Sequence, residues 1–293
     1  MPNIKSIQAI QVFDSRGSPT ISCEIYLNNG TSYISMVPSG ASTGSREALE
    51  LRDGGNDYMG KGVKKAIDNI HNHIAPVLVG LDVRDQQLID DKMIELDGSS
   101  EKSSLGANAI LGVSLAALGA GAKTSQTPLY QYINQVFHQI NSVTLDMQLP
   151  VPMLNIINGG EHADNNIDIQ EFMIMPLGAS SFSEGMQWST EIYAGLKKLL
   201  QQQNLSTGVG DEGGFAPNLK SHQEAIELII QAIENNNLTP GADVSIALDC
   251  AATEFYDDCL YHLKGESLKL NAHEFSEYLE SLSSKYPIVS IED

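Results

Sequence analysis

At 293 residues, 42% hydrophobic and 18% charged, the chain can bury a large core and is long enough for two domains. Its 17 Lys and Arg against 37 Asp and Glu leave a formal charge of −20, which disfavours a nucleic-acid or anionic-membrane surface and suits solubility or divalent cations. Three cysteines, Cys23, Cys250 and Cys259, are too sparse for a disulfide framework and read as reduced thiols in a cytoplasm. The start, "MPNIKSIQAIQVF", carries no basic-then-apolar leader. The uncharged run from Ser103 to Ala122 holds Ser, Asn and four Gly, so a buried helix is the better reading than a bilayer span.

In chain order, the first forty residues read as β. Ile21, Cys23, Ile25 and Leu27 alternate with Thr20, Ser22, Glu24 and Tyr26, the period of a half-buried strand, and Asn28-Asn29-Gly30 supplies a tight turn. An antiparallel meander follows from this. Helical patterns come next in "VKKAIDNIHNHIAPVLVG", "DQQLIDDKMIEL" and the Ala-rich segment ending in "TPLYQYINQVF", so residues 1–140 are expected to form an α+β domain.

From residue 141 onward, apolar strand candidates ("VPMLNII", "IQEFMIM", "VSIALD", "PIVSI") alternate with helical stretches, the signature of a parallel α/β sheet or barrel. The first two lie closer together than a parallel crossover allows, so they are expected to pair antiparallel. The loop "NGGEHADNNID" would then share a mouth with the carboxyl ends of the later strands.

Two of these strands end in acid, at Asp249 and Glu292. Carboxylates on consecutive strand ends converge, and hard oxygen ligands suit Mg²⁺. A solvated loop acid stays open for either one alone. The stretch "TGVGDEGGFAP" formally contains G-x-G-x-x-G, but a polar run precedes it, and Asp211 and Glu212 would face a pyrophosphate, so the dinucleotide reading is rejected. It reads instead as a loop presenting Glu212 to a site, or as an ordinary acidic turn. "GGEHADNNIDIQEF" gathers Glu161, His162, Asp164, Gln170 and Glu171; His162 could act as acid, base or donor, or be merely hydrogen-bonded. "VPSGASTGSRE" is a Gly/Ser loop able to cover a phosphate, or a linker. Walker, H-E-x-x-H and paired C-x-x-C motifs are absent.

Together "FDSRGSPT", "VPSGASTG", "LGANAILGVSLA", "NIINGGEHADNNIDIQEFMIMP", "GVGDEGGFAPN", "ALDCAATEFY" and "YPIVSIED" resemble, in order and across the chain, the enolase family, in a bacterial form. Ser18 departs from the family's usual Asn. The resemblance implies an α+β amino-terminal domain over 1–140 followed by an enolase-type (β/α)₈ TIM barrel, incomplete in 141–293. It implies the Mg²⁺-dependent, reversible dehydration of 2-phosphoglycerate to phosphoenolpyruvate in glycolysis and gluconeogenesis. Glu212 matches the proton donor, Glu171 its carboxylate partner, and Gln170 and His162 substrate contacts. Asp249 and Glu292 match Mg²⁺ ligands and Ser42 a ligand of a second Mg²⁺. A cytoplasmic homodimer without nucleic acid or membrane span is implied, though family members also occur at the cell surface or secreted.

A (β/α)₈ barrel typically takes about 250 residues, whereas four strand candidates follow residue 141. The chain is therefore expected to be an amino-terminal portion of an enolase. The family's lysine base, its third metal carboxylate and several substrate-gripping residues have no counterpart in it. Inactivity of the chain alone is expected, with a non-catalytic binding or surface role as the alternative.

Overall fold

The computed structural model describes residues 1–40, 44 and 46–293. It forms two compact units, one from Met1–Gly40 and Arg46–Gln148, the other built on Leu149–Asp293.

The first unit opens with the antiparallel meander β1 (Ile4–Phe13), β2 (Pro19–Leu27) and β3 (Ser32–Met36). Ile21, Cys23, Ile25 and Leu27 all point into the core, as the period-2 pattern requires. Thr20 is buried as well, and its hydroxyl donates to the Val37 carbonyl at 2.7 Å, which offsets the desolvation of a polar group. The helical patterns become α1 (Lys64–Asn69), a π-turn over Ile70–Ile74, α2 (Ala75–Leu78), α3 (Gln86–Asp97), α4 (Ala107–Thr124) and α5 (Leu129–Asn141). In α4 the small residues Ala109, Ala116, Ala117 and Ala120 are fully buried in the core shared with β1 and β2, the position expected for the uncharged run. Among the described residues no helix is long and apolar enough to cross a membrane.

The second unit carries β4 (Leu154–Asn158), β5 (Glu171–Met175), α6 (Phe182–Gln202), α7 (His222–Glu234), β6 (Ser245–Asp249), a small three-stranded sheet of β7 (Tyr256–Asp257), β8 (Leu260–Leu263) and β9 (Leu268–Leu270), then α8 (Ala272–Lys285) and β10 (Ile288–Glu292). Each long helix starts at a side-chain cap: Ser181 accepts from Glu184 N–H, Ser221 from Glu224 N–H, and Asn271 forms a reciprocal box with Glu274. Such caps satisfy donors that the helix leaves orphaned. The main sheet runs β10-β6-β5-β4. β4 pairs antiparallel with β5, as the short connection demanded, and β6 pairs parallel with β10. The core beneath it joins Ile157, Phe172, Ile174, Ile246 and Leu248 to Ile192, Leu196, Ile226 and Ile229 of α6 and α7. Helices cover one face of the sheet, the arrangement of a barrel segment. Among the described residues the sheet has four strands and does not close, and Val289 and Ile291 of β10 stand 54% and 39% exposed.

Candidate active site

Register sets the site. Asn158 lies opposite Glu171, Glu171 opposite Asp249, and Asp249 opposite Glu292, so one row across four strands reads Asn, Glu, Asp, Glu. Residues in register share a face, and three carboxylates therefore meet along one edge of the sheet. The row exists because β4 and β5 are antiparallel. The end of β4 and the start of β5 fall level with the carboxyl ends of β6 and β10.

A fourth carboxylate arrives by a loop. Phe215 N–H donates to the Ile156 carbonyl and Asn158 N–H to the Phe215 carbonyl, both at 2.9 Å, so the "GVGDEGGF" segment lies along the outer edge of β4. Asp211 N–H also donates to the His162 carbonyl at 2.9 Å. The approach is so close that a methyl group on Gly210 would overlap the His162 carbonyl, and one on Gly214 the Asn158 amide. No helix follows this loop until His222, so the G-x-G-x-x-G letters are not a dinucleotide turn.

His162 is buried between two glutamates. Its Nδ1 is 3.4 Å from Glu171 Oε1 and its Nε2 is 3.9 Å from Glu212 Oε1. Glu212 is 42% exposed at its side chain, the reachable end of the trio. Gln170 donates from Nε2 to Asp249 Oδ2 at 3.2 Å, and Ala251 N–H donates to Asp249 Oδ1 at 3.0 Å. Ala251 achieves this in the left-handed region, φ 43°, a strained conformation of the kind found beside functional groups.

Burial is the largest cause that pushes the Glu171 carboxyl up, followed by the negative charges of Asp249, Glu212 and Glu292, and it titrates at about 7. Glu292 is raised too, by burial and then by Asp249 and Asp293. Like charges held this close cannot all ionise cheaply, so the cluster takes up a proton near neutral pH, Glu171 being the member raised furthest.

The donor set can be tested for a metal. His162, Glu171 and Glu212 present ligand atoms within 4.8 Å of one another, but a nitrogen and a carboxyl that retains its proton are poor partners for a hard cation. Asp249 and Glu292 offer oxygens alone, side by side in register, and fit Mg²⁺ better. Ser42 lies outside the described residues. Sequence reasoning overlooked Asn158, whose amide atoms are both buried without a hydrogen-bond partner; an Asn closing the apolar run "PMLNII" was the available signal.

A sheet with helices on one face and acids gathered along the strand ends is the arrangement in which barrel-type α/β domains place their functional residues. Residues 4–133 match the family model "Enolase, N-terminal domain", and residues 146–293 match "Enolase, C-terminal TIM barrel domain". The chain belongs to the enolase family, whose members are lyases that generally depend on a metal.

Proposed function

We propose that this site serves the reversible dehydration of 2-phosphoglycerate to phosphoenolpyruvate, in glycolysis and gluconeogenesis. The observation that supports it best is the convergence of Glu171, Asp249, Glu292 and Glu212 on one edge, where the Glu171 carboxyl is raised to about 7. Glu212, exposed at the loop, donates a proton to the departing 3-hydroxyl. Glu171 holds the proton in reserve behind it, and His162 between them and Gln170 beside them contact substrate. Asp249 and Glu292 would hold a Mg²⁺, with Ser42 on a second; when bound, such ions supply positive charge against the carboxylate end of the substrate. Asp249 is pre-set for that task by the bonds from Gln170 and Ala251, which fix its carboxylate plane.

The ionisable groups gathered here are acids and one imidazole. A lysine to remove the C2 proton and a third metal carboxylate have no counterpart among these 293 residues, so the chain alone is read as binding substrate without sustained turnover. Residues 1–140 and 141–293 are its two domains in this reading. A cytoplasmic homodimer completes it, supported by buried thiols at Cys23 and Cys250 and by Ile10, Ile34 and Met36, exposed together on one face of the β1–β3 sheet.

The test is the absorbance of phosphoenolpyruvate formed by protein free of host enolase. Supplied with the carboxyl-terminal half of an enolase barrel as a separate chain, the protein is expected to gain turnover that falls by about 10² to 10⁴ in Glu212→Gln, the usual worth of a general acid. Turnover indifferent to Glu212 would overturn the assignment.

A further inference from the structure

The segment from Gly159 to Glu171 brings His162, Gln170 and Glu171 to the site, and most of it is loop. What holds it includes a residue outside the carboxylate row. The first residue of α7, His222, is 1% exposed, and its Nε2 faces two backbone donors, Asp168 N–H at 3.2 Å and Ile169 N–H at 3.3 Å. Its Nδ1 faces the Tyr278 hydroxyl at 2.9 Å, which in turn lies 3.1 Å from Glu266 Oε1. The same glutamate oxygen accepts from His222 N–H at 2.7 Å.

Only one tautomer satisfies all of these groups. Nε2 must carry a lone pair to accept from two N–H groups, so the proton sits on Nδ1 and is donated to Tyr278, whose own hydrogen goes to Glu266. A doubly protonated ring bridging Asp168 and Glu266 is the competing arrangement. It is disfavoured because Asp168 Oδ2 is 3.7 Å from Nε2, farther than either amide, and the Asp168 carboxylate already accepts from Lys264 N–H at 2.9 Å and Gly265 N–H at 3.0 Å. Phe172 packs beside the ring at 6.3 Å between centroids.

We propose that His222 is a positioning residue: by accepting from the amides of Asp168 and Ile169 it fixes the backbone that delivers Gln170 and Glu171 to the carboxylate row. The next amide, Gln170 N–H, donates to the Asp249 carbonyl at 3.1 Å, so three consecutive amides, of residues 168 to 170, are all bonded and join the clamp to the row. Asp168 ties the same run to the β8–β9 turn. The small sheet, α7 and α8 thereby act on the site without touching it. The importance of this delivery for dehydration rests on the function proposed above.

The experiment compares the 293-residue protein with His222→Phe, which keeps a ring but removes the acceptor, and His222→Gln, whose Oε1 reaches the Nε2 position. Nitrogen NMR of the parent should show His222 Nε2 unprotonated. Amide exchange at Asp168 and Ile169 should speed up by about tenfold or more in His222→Phe while Ile174 and Ile246 stay protected, and the Gln170 side-chain amide should lose its bonded shift. His222→Gln should restore both. Uniform loss of protection across the sheet, or no change at 168–170, would overturn the proposal. Adding 2-phosphoglycerate with Mg²⁺ separates the two readings: a parent whose Gln170 and Glu171 signals ignore it counts against the function, while the exchange data still decide the clamp.

Discussion

Glu171 shows how much a single residue depends on its neighbours. It sits at about 7 with burial as the leading cause and Asp249 the first of three charges behind it. Asp249→Asn removes that charge, so the Glu171 carboxyl should titrate at lower pH by carbon NMR, and added Mg²⁺ should move it the same way; an unchanged midpoint in both would contradict the electrostatic account. His222 makes the opposite case. Burial lowers its pKa against the pull of Glu266 and Asp168, so below about 6.5 the unfolded chain binds a proton that the folded protein refuses. Stability from this group is therefore complete above that pH and is lost as pH falls, by up to about 1.4 kcal/mol per unit. Urea denaturation of parent and His222→Gln on either side of that value should show the difference shrinking towards acid; a difference that grows would reverse the sign.

At the scale of elements, the site depends on how closely a loop can lie against a strand. Gly214 leaves no room for a side chain, since a Cβ there would also come within 3.0 Å of the Ile156–Ile157 peptide. Gly214→Ala should cost about 1 to 3 kcal/mol by thermal or urea unfolding, the usual penalty of overpacking; a neutral result would mean the loop stands off β4. The start of α8 offers a milder probe, because Asn271→Ala removes an acceptor for both His273 and Glu274 N–H and should cost about 1 kcal/mol. Strand ends such as Asp249 and Glu292 were legible because long apolar runs stop at an acid. The sheet of β7, β8 and β9 was not, since its strands are two to four residues long and its first turn uses Asp258 and Cys259 at positive φ where glycine would have been the signal. His222 was hidden because a histidine after a capping serine reads as helix surface, whereas Phe172, the Asp168–Ile169 backbone and Tyr278 of α8 close around it.

For the whole molecule, the two units have separate cores, and Ile21, Ile25, Ile70 and Ile74 all belong to the first unit's own cluster. A fragment of residues 1–148 should therefore unfold cooperatively in urea; a gradual, non-cooperative loss of structure would contradict an independent core. The central claim, that the carboxylate row is a Mg²⁺-dependent 2-phosphoglycerate site, is tested most directly by calorimetric titration of the 293-residue protein with 2-phosphoglycerate. Binding is predicted with Mg²⁺ present, abolished by chelator and by Asp249→Asn, and preserved in Glu212→Gln. Binding that survives chelation, or that ignores Asp249→Asn, would contradict the account.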